Sequence, residues 1–136
     1  MEKRSSMLAT HQILGLATGA AMLATLFTGK EADYTDFHMY SGVATGALYA
    51  TTAYFSLFAP KPDTIKDNNS TKWHRRLAWL HGPAMLLTIV AALAAKNQVD
   101  DHKSISGLGE LHKPAVAVLV PTFFASLAIM TFDINL

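Results

Sequence analysis

Residues Ser5–Gly29 read SSMLATHQILGLATGAAMLATLFTG, twenty-five positions without one Asp, Glu, Lys or Arg. Three more such runs follow, Phe37–Pro60, Leu77–Ala95 and Pro114–Phe132, and all 21 charged residues lie outside the four. A helix on the surface of a soluble domain carries charge on its outer face once every turn or two. A run that avoids charge for about 20 residues has instead the length needed to cross the hydrocarbon core of a bilayer. The expectation is an all-α membrane protein. It would be one four-helix bundle filling residues 1–136, with spans near 7–29, 37–59, 77–95 and 112–132. The 136-residue chain has no cysteine, which excludes thiolate-held iron–sulfur clusters, c-type haem attachment and thiolate zinc sites.

The basic residues orient the bundle. Lys3 and Arg4 precede the first run, and Lys61, Lys66, Lys72, Arg75 and Arg76 lie between the second and third. The other side has Lys30, Lys96, Lys103 and Lys113, beside six carboxylates. The positive-inside tendency then places both termini and the 60–76 loop in the cytoplasm. The cationic start and apolar first run resemble a signal peptide. The run is too long for one, no small-x-small cleavage site follows it, and it repeats in the second span.

That repeat is His11-Gln-Ile-Leu-Gly15-Leu-Ala-Thr18-Gly19-Ala20 against His38-Met-Tyr-Ser-Gly42-Val-Ala-Thr45-Gly46-Ala47. The third and fourth spans share Leu80-His81-Gly82-Pro83-Ala84 and Leu111-His112-Lys113-Pro114-Ala115. Each span thus opens on one histidine. Because consecutive spans run in opposite directions, His11 and His81 fall toward the inner face and His38 and His112 toward the outer face. An ionisable side chain within a membrane helix is costly and points to function. Two imidazoles at matched height, on two helices, suit the axial coordination of a haem b iron, so two pairs suit two haems. From His81 to the end of its span is about 15 residues, roughly 20–25 Å of helix, an acceptable separation for two such irons.

The neighbouring residues fit this reading. Gly15, Gly19, Gly42 and Gly46 sit one and two turns from their histidines, and Gly82 adjoins His81. Such glycines leave room for a macrocycle, or allow close helix packing of the G-x-x-x-G type; the two uses are compatible. His74 is the rival inner ligand, seven residues before His81 on the same helical face, but it lies at the water boundary outside the repeat. The expected inner pair is therefore His11 with His81. Arg75 and Arg76 would form a basic rim able to hold haem propionates or a polar substrate, or an interfacial anchor with Trp73 and Trp79. Pro83 and Pro121 are expected to bend their helices. Tyr34, Tyr40, Tyr49 and Tyr54 read as interfacial or packing residues before quinone ligands, and His102 as a loop residue.

With these residues in place, the chain resembles the cytochrome b561 family of four-helix, di-haem membrane cytochromes. The resemblance implies one haem shared by the first and third helices, on His11 and His81, and one shared by the second and fourth, on His38 and His112. It also implies transmembrane electron transfer between a quinone pool or cytoplasmic-side donor and a periplasmic partner, in a bacterial inner membrane. The chain would act as a subunit of a larger oxidoreductase complex or a homo-oligomer, with the lipid bilayer around it and no nucleic acid partner. An enzymatic activity of its own is left open. The loops are short, the flanking helices of eukaryotic members have no counterpart, and no ascorbate-site motif is present. The competing class is a non-redox anchor or scaffold subunit whose histidines bond helix to helix. A proton relay is disfavoured because every carboxylate lies outside the four runs, and a zinc hydrolase because H-E-x-x-H is missing.

Overall fold

The structure, a computed structural model, describes residues 2–31, 36–61 and 68–132. Tyr34, Asp33 and Lys66 lie outside the described residues. The elements are α1 (Glu2–Glu31), α2 (Asp36–Leu57), α3 (Asn69–Asp100), a 3-10 turn η1 (Gly107–Leu111) and α4 (His112–Thr131). Three of them, α1, α3 and η1–α4, contain segments long and apolar enough to cross a membrane. The second helix is not among them; its 22 residues include His38, Tyr40, Ser41, Thr45, Tyr49, Thr51, Thr52, Tyr54 and Ser56. Among the described residues no strand is present.

Helix α3 begins at Asn69, eight residues before the third charge-free run. Asn68 caps it, its side-chain oxygen accepting from the Thr71 amide at 2.8 Å. Absence of charge marks the hydrocarbon layer rather than the helix ends, so Lys72, His74, Arg75 and Arg76 belong to the helix. Pro83 and Pro121 lie inside α3 and α4, which continue through them.

The chain folds as two antiparallel hairpins. α1 packs closely along α2 and α3 along α4, while the backbones of the two hairpins approach each other less closely. The reason is visible in the stripe that each helix turns inward. In α1 it is His11, Gly15, Thr18, Met22 and Thr25; in α2 it is His38, Gly42, Thr45, Tyr49 and Thr52. These positions step by four and three residues alternately, the seven-residue period that keeps one face against a partner helix. The interior of the first hairpin is small and polar. Thr18 and Thr52 share a hydroxyl hydrogen bond of 3.0 Å, and Thr25 and Thr45 share another of 3.0 Å. Gly19 lies against Leu127 and Phe124, and a Cβ there would come within 3.3 Å of Leu127. Gly46 seats the Ile89 side chain of α3. The large apolar side chains face outward: Phe27, Leu57, Trp79 and Leu86 are each about two-thirds exposed or more. A hydrocarbon surround stabilises such a surface, whereas water would penalise it.

Candidate functional site: two histidine pairs between the hairpins

Two pairs of imidazoles bridge the hairpins. The rings of His11 (α1) and His74 (α3) lie 5.9 Å apart between centroids, with their planes 80° apart. The rings of His38 (α2) and His112 (α4) lie 6.2 Å apart at 85°. The partner of His11 is therefore His74, the rival of the sequence reading, and not His81.

Each of the four rings is held through Nδ1 by an oxygen on the other helix of its own hairpin. His11 Nδ1 is 2.8 Å from the Thr52 carbonyl, and His38 Nδ1 is 3.1 Å from the Thr25 carbonyl and 3.1 Å from the Thr28 hydroxyl. His112 Nδ1 is 3.1 Å from the Thr88 carbonyl. His74 Nδ1 is 2.6 Å from the Ser126 hydroxyl, with the Ser126 carbonyl at 3.5 Å. A carbonyl accepts only, so Nδ1 carries the proton in the three rings it holds and the lone pair sits on Nε2. This is the tautomer in which a histidine ligates a metal through Nε2 while Nδ1–H donates to a backbone carbonyl.

The anchors obey one spacing. Thr25 follows His11 by fourteen residues, Thr52 follows His38, Thr88 follows His74 and Ser126 follows His112, each by fourteen. Fourteen residues are two heptads, so histidine and anchor share a face about 21 Å apart along the axis. In each antiparallel hairpin the histidine of one helix meets the anchor of the other. Both hairpins consequently place their two histidines the same distance apart, and the pairs match at both ends. The L-H-x-P-A alignment of His81 with His112 is thus out of register by seven residues, because the equivalent of His112 is His74. The H-x13-[ST] spacing is the sequence signal that would have selected His74, and also Thr25, Thr52, Thr88 and Ser126.

His81 lies midway, seven residues from both His74 and Thr88. It is buried, 7% exposed, with Nδ1 2.7 Å from the Tyr49 hydroxyl, its ring against Phe123, and Nε2 buried without a hydrogen-bond partner. Gly82 faces the Tyr49 hydroxyl. Gly15 and Gly42 stand in ordinary contact distance of Thr52 and Thr25. Gly29, unremarked in the sequence, adjoins the His38 ring so closely that a Cβ would lie 2.8 Å from Cε1. Arg75 and Arg76 are exposed beside His74, with the Arg76 guanidinium 4.9 Å from the Trp73 ring.

An open-sided apolar cleft adjoins the second pair, with about 730 Å³ of atom-free space including its mouth. His38, Gly42, Thr88, Lys96 and His112 are among its walls. Among the described residues no three or more His, Asp or Glu side chains converge on one point. Metal–imidazole bonds of about 2.0–2.1 Å on either side of one iron, plus the distance from nitrogen to ring centre, put the centroids about 6 Å apart. Both pairs, at 5.9 and 6.2 Å, fit that spacing. Among known proteins, no family model matches this chain, nor does any curated sequence or solved structure.

Proposed function

We propose that the chain is a four-span membrane cytochrome of the cytochrome b561 type, holding two b-type haems between its hairpins and carrying electrons across the bilayer. The observation that supports this most is the pair of matched imidazole couples, at 5.9 and 6.2 Å, each with one ring from either hairpin. His11 and His74 would hold the inner haem and His38 and His112 the outer one. Bound iron would supply one-electron chemistry at each end. The protein's part is positional. The Nδ1 bonds within each hairpin hold all four rings in place and fix the tautomer of the three held by carbonyls, Gly29 leaves room for the His38 ring, and Ser126 and the Thr88 carbonyl set the height of the α3 and α4 ligands. The small interior residues let the helices of each hairpin pack closely, and the outward Leu, Phe and Trp side chains keep water from the sites.

α2 would form the fourth span with Thr45, Thr52 and Tyr49 turned inward, to Thr25, Thr18 and His81, and the Thr51 hydroxyl bonded to its own helix, while Tyr40 and Tyr54 face outward. The basic end, with Arg4 donating to the Pro60 carbonyl at 2.8 Å, faces the cytoplasm of a bacterial inner membrane. A quinone pool or cytoplasmic donor serves that end and a periplasmic acceptor the other, in a larger complex or oligomer.

Sealed vesicles test the electron-transfer step. With the purified holoprotein inserted, a reductant outside should reduce an impermeant acceptor trapped inside, and His38→Ala should abolish the transfer. A protein carrying both haems that leaves the trapped acceptor oxidised would contradict this function.

A further inference from the structure

Among the described residues, the cleft beside His38 and His112 has one lysine or arginine in its wall, and the electron-transfer reading leaves it unassigned. Lys96 lines it with a side chain only 12% exposed. Its ammonium lies 3.2 Å from Asp36 on α2 and also pairs with Asp100 one turn on in α3, and these carboxylates are 75% and 56% exposed. Lys96 stands eight residues beyond Thr88, whose carbonyl holds His112, so its backbone is about 12 Å further toward the outer end. The ammonium is held at that end by Asp36 and Asp100, on the wall of the cleft that also holds the two imidazoles. The result is an apolar cleft whose walls carry two imidazoles and, toward its outer end, the Lys96 ammonium.

We infer that Lys96 is the binding residue for a carboxylate on the cleft's ligand, a porphyrin propionate on the haem reading on which this inference rests. Asp36 holds that place until the ligand arrives. Its exposed carboxylate returns to water at little cost, because a solvent-facing ion pair contributes little. Asp36 is two residues before His38, so its bond to Lys96 ties α2 to α3 across the cleft. Exchanging that bond for the ligand's carboxylate opens the mouth and fixes which edge of the macrocycle faces the membrane surface. An ammonium on the cleft wall would meet such a carboxylate through a charge-assisted hydrogen bond.

The experiment compares iron protoporphyrin IX with its dimethyl ester, which keeps the macrocycle and lacks the carboxylates. Each is titrated into the full chain, stripped of haem, in lipid nanodiscs, with the His11–His74 site as internal reference. Lys96→Gln should weaken one of the two protoporphyrin sites by about tenfold and leave ester binding unchanged. Lys96→Arg should restore the protoporphyrin affinity, and Asp36→Asn should retain or improve it. Equal losses for both porphyrins would reduce Lys96 to a structural ion pair and overturn the inference. So would unaltered protoporphyrin binding by Lys96→Gln in protein of normal helicity. Absence of any porphyrin binding by the unmodified chain would instead overturn the haem reading, and this inference with it.

Discussion

Ser126 differs from the other three anchors because its hydroxyl, not its carbonyl, makes the short bond to the ligand ring. If Nδ1–H of His74 donates to that hydroxyl, Nε2 is available to a metal. If the hydroxyl donates instead, Nε2 carries the proton and cannot ligate. Metal binding thus selects the first arrangement. Ser126→Ala leaves only the carbonyl at 3.5 Å, and loss of such a supporting bond commonly costs 10–100-fold in metal affinity. The expected outcome is a weakened inner haem, an unchanged outer haem, and recovery with Ser126→Thr, read by titrating haem into the stripped protein. Equal affinity in the wild-type protein and the alanine variant would show that the serine does not position His74. His81 tests the assignment from the other side. Its Nε2 has no hydrogen-bond partner in the structure and its Nδ1 is engaged by Tyr49, at a depth where no second imidazole faces it. His81→Leu should keep both haems while His74→Ala keeps only the outer one. Retention by both variants, or the reverse order, would remove His74 from the inner site.

At the scale of the helices, charge alone located four apolar segments in the sequence, because the cost of burying charge in hydrocarbon dominates every weaker preference there. The four helices occur where those runs lie. Their ends differ, most of all in α3, since water begins where charge begins but a helix does not stop there. The difference decided the site. Treating Lys72–Arg76 as boundary left His74 outside the bundle and promoted His81, whose L-H-x-P-A context also resembles that of His112. The first hairpin was legible because its repeat extends over ten residues around the histidine. The second was not, because the equivalent positions on α3 and α4, Ala78 and Val116, His81 and Leu119, Met85 and Phe123, share only an inward face and no residue type. What the hairpins do share is the fourteen-residue step from histidine to hydroxyl residue, a distance longer than the motifs by which spans are aligned. The glycines divide in a way spacing could not foretell. Gly19 and Gly46 seat side chains of the other hairpin, Gly82 faces a tyrosine hydroxyl, and Gly29, outside both repeats, adjoins a ligand candidate.

Across the whole molecule, the backbones approach closely within each hairpin and less closely between them, where Met22, Met85, Leu119 and Phe123 form one core and Gly19 and Gly46 seat side chains of the other hairpin. Here the layer between them is bridged at two heights by facing imidazoles, about 21 Å apart by the helical rise. Two haems in that layer would add to the packing as well as supply the chemistry, so their binding should tighten the association of the hairpins. The most direct measurement is haem per chain, by pyridine haemochrome, on protein purified from haem-replete cells. The account predicts two b-type haems, falling to one in His74→Ala and to one in His112→Ala. A colourless protein, or a haem content that neither substitution lowers, would contradict it.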